Sequence, residues 1–222
     1  MSAPGLQILF GGSFDPVHEG HAGTARAVLD HFPGATLTWL PAARSPLKAG
    51  SRADASERLA MLRTRCAGEP GWQVSEDELH RPPPSYTIDT LKRWRLRAGP
   101  DTPLAFLMGR DSLAALAHWR DWTELTEHAH LIVAHRPGCD AALPPVVAAW
   151  LENRHASAPD LLQSRPFGLV LTLTTPPWPV SSTAIRQALA AGAPTGDWLS
   201  PGVRDYIQQH GLYRSPETPG SP

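Results

Sequence analysis

Short apolar runs of strand length alternate with longer amphipathic stretches of helix length from residue 6 to about residue 210, and this alternation constrains the fold more than any other feature. Leu6–Phe10, Ala35–Leu40, Trp72–Ser75, Leu104–Met108, Leu131–Ala134 and Leu169–Thr174 read as strands. His18–Phe32, Ala55–Ala67, Thr87–Arg97, Leu113–Ala117, Ser182–Ala191 and Val203–His210 read as helices. The pattern predicts an α/β fold with a doubly wound, mainly parallel sheet and helices on both faces. In such folds ligands gather beyond the carboxyl ends of the strands. With no internal repeat and no second core, residues 1–214 read as a single domain and residues 215–222 as a flexible C-terminal tail.

Composition narrows the function classes. The 222 residues carry 20 Lys plus Arg against 21 Asp plus Glu, a formal charge of −1 with no long run of one sign. Nucleic acid and anionic membranes call for broad basic surfaces, so neither is an expected partner and the expected anionic ligand is small. No stretch approaches the ~20 apolar residues that span a bilayer, and Met1 to Phe10 has no basic segment leading into a long apolar run. Cys66 and Cys139 lie far apart in no metal-ligand spacing, which suits reduced thiols in a cytoplasmic protein. Prolines, 24 in all, cluster at residues 82–84, 144–145, 176–179 and in the tail. Lacking an N–H, they mark connections between elements.

The first run with chemical content follows the first strand: Gly11-Gly12-Ser13-Phe14-Asp15-Pro16-Val17-His18-Glu19-Gly20-His21. Gly11 and Gly12 remove side chains where the backbone leaves the strand, so a phosphate could approach main-chain N–H groups. His18 and His21 stand three apart, on one face of a helix start, with Gly20 keeping the approach open between them. Imidazoles there can hydrogen-bond phosphate oxygens beside the positive end of the helix. The same pair could begin a zinc site with Asp15 or Glu19, or simply decorate a helix surface; its place after a strand and a Gly-Gly turn favours nucleotide phosphate. The spacing matches neither a dinucleotide GxGxxG fingerprint nor a P-loop.

A second run, Pro176 to Arg186, follows the last strand and includes Val180-Ser181-Ser182-Thr183-Ala184-Ile185-Arg186. Hydroxyls at a helix start supply caps, and the free N–H groups of the first turn suit an anion. Arg186, one turn in, adds a charge that can fork onto phosphate.

GGSFDPVHEGH and VSSTAIR resemble the HxGH and SSTxIR motifs of the nucleotidyltransferase superfamily, and the chain is similar to the bacterial nicotinate mononucleotide adenylyltransferases from about Leu6 to Tyr213. Both phosphate motifs are shared with pantetheine-phosphate adenylyltransferases and cytidylyltransferases. The narrower likeness rests on PAARSPLK (41–48), SYTIDTL (85–91), FLMGRDSL (106–113), Trp119 and AHRPG (134–138). Leu47 stands where the family commonly has histidine, and Arg110 where a smaller or neutral residue is usual.

The resemblance implies a Rossmann-like nucleotidyltransferase fold. It implies transfer of AMP from ATP to the 5′-phosphate of nicotinate mononucleotide, giving deamido-NAD and pyrophosphate by direct in-line displacement. His18, His21, Lys48 and Arg186 would be catalytic. Gly11, Gly12, Ser13, Phe14, Gly109, Asp111, Ser181, Ser182 and Thr183 would join His18, His21 and Arg186 around ATP. Ser85, Tyr86, Thr87, Asp111, Trp119 and Arg136, with Lys48, would hold the acceptor. Mg²⁺ would arrive on ATP with no protein metal site, and homo-oligomerisation stays open. Nicotinamide mononucleotide or phosphopantetheine as acceptor, or a non-catalytic nucleotide sensor, are the alternatives.

Overall fold

The computed structural model describes residues 5–43, 52–82, 84–137 and 142–214. Strands β1 (Gln7–Gly12), β2 (Thr36–Pro41), β3 (Trp72–Val74), β4 (Leu104–Gly109), β5 (His130–His135) and β6 (Val170–Thr174) form a wholly parallel sheet in the order β3-β2-β1-β4-β5-β6. Helices α1 (Glu19–Leu29), α2 (Ala55–Cys66), α3 (Thr87–Ala98), α4 (Arg110–Ala114), α5 (Pro145–Leu151), α6 (Asp160–Gln163), α7 (Ser182–Ala190) and α8 (Pro201–Gln209) surround it. No helix among the described residues is long and apolar enough to cross a membrane.

Because side chains alternate along a strand, each continuous apolar run feeds two cores. Ile8, Phe10, Leu37, Trp39, Leu107 and Ile132 face one side, where they meet Val28 of α1, Met61 of α2, Ile185 of α7 and Val203 of α8. Leu9, Leu40, Phe106, Met108, Leu131 and Val133 face the other and meet Leu91 of α3, Leu113 of α4 and Val147 of α5. Helix starts are fixed locally: at α2 the Asp54 carboxylate accepts from the Glu57 N–H at 2.8 Å, while the Glu57 carboxylate accepts from the Asp54 N–H at 2.7 Å.

Pro144–Pro145, expected in a connection, instead opens α5, with Pro145 as its first residue. Proline is tolerated there because the first N–H groups of a helix have no intrahelical partner anyway. The expected short helix at Leu113–Ala117 divides into α4 and a 3₁₀ turn at Leu116–His118. Burial pushes the Cys66 thiol up to about 12, so it behaves as a core residue. Cys139 and the tail at 215–222 lie outside the described residues.

One helix contact reverses an ordinary rule. A Cβ on Gly23, in α1, would lie 2.1 Å from Trp178 Nε1, so the indole needs the glycine in order to seat. Gly to Ala in an open helix interior gains about 1 kcal/mol. Here Gly23→Ala is expected to lose about 1–3 kcal/mol through overpacking. Thermal and urea unfolding check the sign, and Trp178→Leu should then cost less on top of Gly23→Ala than in the unmodified chain.

Candidate active site

β1 and β4 are neighbours at the middle of the sheet, where the strand order reverses and successive connections leave in opposite directions. A cavity of about 630 Å³ fills the crevice this creates. Its walls come from the end of β1 and the turn after it (Phe10 to Asp15), the start of α1 (His18, Gly20, His21, Thr24), the ends of β4 and β5 (Met108, Gly109, Ala134, with Arg136 just beyond), Ser112 of α4, the start of α7 (Val180 to Thr183, Arg186), and Arg52.

His18 is the N-cap of α1 rather than part of its first turn. The two histidines cap one another: the His21 N–H donates to Nδ1 of His18 and the His18 N–H to Nδ1 of His21, each at 3.3 Å. Their rings stack with centroids 3.7 Å apart, and the His21 ring meets Phe14 edge-on at 5.1 Å. An Nδ1 that accepts an amide hydrogen carries no proton, so each neutral ring holds its proton on Nε2. Burial, with Arg136 nearby, pushes the His18 pKa down to about 4. His18 is therefore a neutral Nε2–H donor at neutral pH. Asp15 and Glu19, the carboxylates that a zinc site would need, are engaged elsewhere: Glu19 receives both arms of Arg65 at 2.7 and 3.0 Å.

The C-terminal motif reaches the same cavity. Ser182 Oγ donates to the Pro16 carbonyl at 3.0 Å, and Arg186 Nη1 donates to the Asp15 carbonyl at 2.7 Å. The hydroxyl run is largely structural. Ser181 Oγ caps α7 by accepting from the Ala184 N–H at 3.1 Å, Ser182 makes the stitch to Pro16, and Thr183 Oγ1 accepts from Arg186 Nη2 at 3.2 Å. Main-chain N–H groups at the start of α7 are what this segment has left for an anion.

The glycines carry a different burden from the one the sequence suggests. Cβ atoms on Gly11 and Gly12, which line the cavity, would meet the rings of Phe106 and Phe14 at 2.7 and 2.9 Å, so their bareness admits aromatic packing beneath the turn. A Cβ on Gly20 would strike Val180 at 2.9 Å and the His18 ring at 3.0 Å, so this glycine, which lines the cavity, also makes room for Val180. Phe14 is 1% exposed, with its ring in the core, and only its backbone can face a ligand.

The turn itself is held by residues absent from the sequence-based candidates. Arg58 on α2 is 1% exposed; its Nη1 donates to the carbonyls of Ser13 and Ala42, both at 2.8 Å, and its Nη2 to that of Ala43 at 3.3 Å. Burial lowers its pKa, against the opposing pull of the Asp15 carboxylate. A signal existed: Arg58 and Arg65 occupy the same helical stripe as Met61, Leu62 and Cys66, where burial is expected.

Other candidates fall outside this cavity. Asp111 lies 4.0 Å from Arg136 on its rim, in the first turn of α4, whose N-cap is Gly109. Ser85 lines a second hollow of about 370 Å³ with Arg81 and Asp89. Tyr86 is the N-cap of α3 with Arg120 over its ring at 4.9 Å, and Thr87 begins that helix. Trp119 packs edge-on against Phe106 at 6.3 Å, on the side of the second core. Lys48, Leu47 and Arg44 lie outside the described residues.

A doubly wound parallel sheet with a histidine-bearing polar crevice at its switch point is the architecture of nucleotide-binding α/β proteins. The profile of the cytidylyltransferase-like family matches residues 9–188. The chain is 49% identical to a probable nicotinate-nucleotide adenylyltransferase of Laribacter hongkongensis, over 93% of this chain and 94% of the relative. It is 42% identical to that of Stenotrophomonas maltophilia, over 95% and 98% respectively. The nicotinic acid mononucleotide adenylyltransferase of Plasmodium falciparum, solved with NaAD, superposes with a TM-score of 0.70 over 94% of this chain and 97% of that one; at 17% identity this is a likeness of fold. The chain belongs to the nicotinate-nucleotide adenylyltransferase family of cytidylyltransferase-like proteins.

The depressed His18 pKa has a signed consequence. Between pH 6.5 and about 4 the unfolded chain binds a proton at His18 that the folded chain refuses, so stability present above pH 6.5 drains away as pH falls. Urea titrations across that window should show a loss on the order of 3 kcal/mol from this group. His18→Asn keeps an N-cap acceptor and should remove that part of the slope.

Proposed function

We propose that this chain transfers AMP from ATP to the 5′-phosphate of nicotinate mononucleotide, giving deamido-NAD and pyrophosphate. The observation that carries this is the joining of the HxGH turn and the SSTxIR helix start around one cavity, through Ser182 to Pro16 and Arg186 to Asp15. Identities of 49% and 42% to probable nicotinate-nucleotide adenylyltransferases over nearly whole chains support the choice of acceptor.

The acceptor phosphate is already anionic and needs no general base. Its oxygen attacks the α-phosphorus in line, a P–O bond forms, and the bond to the β-phosphate oxygen breaks with pyrophosphate leaving. The protein's contribution is to align two mutually repelling phosphates and to stabilise charge building on the α-phosphoryl oxygens and the leaving group. The Nε2–H groups of His18 and His21 serve as preorganised donors, Arg186 and the α7 amides as anion contacts, and Lys48 as a further cation. The backbone of Gly11 to Phe14, with Gly109 and Asp111, bounds the nucleotide. Magnesium enters as part of the ATP substrate. Asp15 and Glu19 spend their oxygens on protein donors and are unsuited to hold it.

For the acceptor, α3 opens at Tyr86 without a side-chain cap, so the first amides of a 12-residue helix remain available to an anion. A nicotinate carboxylate accepts hydrogen bonds only and suits amide donors; a carboxamide would bring an NH₂ without an acceptor. Ser85, Tyr86 and Thr87 form this subsite in our reading, with Trp119 for the pyridine ring and Arg136 on the phosphate side.

Two measurements test the proposal. Pyrophosphate release with ATP and, in turn, nicotinate mononucleotide, nicotinamide mononucleotide and phosphopantetheine should be fastest with the first; a faster rate with either of the others overturns the acceptor. His21→Ala should lower kcat by about 10²-fold, the usual cost of one lost preorganised donor, and an unchanged kcat would remove His21 from the mechanism.

A further inference from the structure

Asp15 lies in the glycine-rich turn, yet its carboxylate does not serve the cavity directly. It is 5% exposed and saturated with protein donors: the Arg52 N–H reaches Oδ2 at 2.9 Å, the Ala53 N–H reaches Oδ1 at 3.1 Å, and the Tyr213 hydroxyl donates to Oδ1 at 2.7 Å. Tyr213 is itself buried, 198 residues away in sequence. A buried carboxylate is tolerable only with its oxygens satisfied in this way, so the three donors and the acceptor form one rigid knot.

Arg52 emerges from that knot. Its N–H is tied to Asp15, while the residue as a whole is exposed and lines the same cavity as His18, His21 and Arg186. The other arginines of the cavity have competing work. Arg186 spends Nη1 on the Asp15 carbonyl and Nη2 on Thr183, and Arg136 faces Asp111 at 4.0 Å. A triphosphate entering here meets Arg52 in the cavity lining.

Building on the reading that this cavity takes the phosphates of ATP, we infer that Arg52 is a further phosphate-binding residue and that the buried Asp15–Tyr213 hydrogen bond is its positioning device. Tyr213 then touches no ligand. It acts by fixing the carboxylate that fixes the Arg52 backbone.

ATP binding by calorimetry and steady-state kinetics on full-length variants test both halves. Arg52→Ala, a change at an exposed position, should weaken ATP binding about tenfold, the scale of one charge-assisted contact, with KM for nicotinate mononucleotide unchanged. Arg52→Lys should recover most of the loss. Tyr213→Phe keeps the ring and should raise KM for ATP several-fold in the unmodified background, but should add little once Arg52 is already Ala, because coupled residues are non-additive. ATP affinity within twofold of the unmodified chain in Arg52→Ala overturns the binding role. A Tyr213→Phe effect of full size in the Arg52→Ala background overturns the positioning role. An unmodified chain that binds ATP but makes no dinucleotide from nicotinate mononucleotide sinks the acceptor proposal and leaves this inference standing; one that binds no ATP sinks both.

Discussion

The site depends on a tie between the two ends of the chain. The turn after β1 offers the carbonyls of Asp15 and Pro16 and the Asp15 carboxylate; residues 166 to 198 positions later, Ser182, Arg186 and Tyr213, supply the donors. Each such hydrogen bond contributes only about 1–3 kcal/mol net, too little to hold distant segments without apolar help. That help comes from Val180 seated on Gly20 and Trp178 on Gly23, contacts that only glycine allows. The polar ties set the register of the joint and the packing supplies its strength.

The same economy governs the histidines. Capping α1 occupies both Nδ1 atoms, and burial keeps His18 uncharged, so one arrangement fixes the helix start, the tautomer and the protonation state. A neutral donor beside the positive end of a helix avoids the cost of a second positive charge there while keeping an N–H donor at the cavity. Each ring thus supplies a cap acceptor through Nδ1 and a donor through Nε2.

Buried arginines form the frame behind this machinery. Arg58 gathers the carbonyls of Ser13, Ala42 and Ala43, tying the ends of β1 and β2 together. Arg65 clamps Glu19 and Glu69 and lies over Trp72 with 5.2 Å to the ring centroid. The residue between His18 and Gly20 thus anchors α1 to α2. Removing Glu19 would leave the buried Arg65 guanidinium with Glu69 as its one remaining hydrogen-bonded carboxylate, so this position has little tolerance.

The sequence by itself determined the layered α/β class and the location of the six strands, because a parallel sheet covered on both faces needs apolar runs of strand length separated by amphipathic helices. It also exposed the two motifs that line the cavity, since glycines, histidines and a hydroxyl run beside an arginine are local features. Their meeting was decided only by tertiary structure: nothing near Asp15 in the chain predicts Tyr213, and nothing near Ser182 predicts Pro16. Folding likewise settled which groups are spent internally, as with the Ser181 cap, the Gly20 contact and the Asp15 carboxylate bound by Arg52, Ala53 and Tyr213. A hydrogen-bond partner or a steric gap is a property of two segments, and local spacing describes only one.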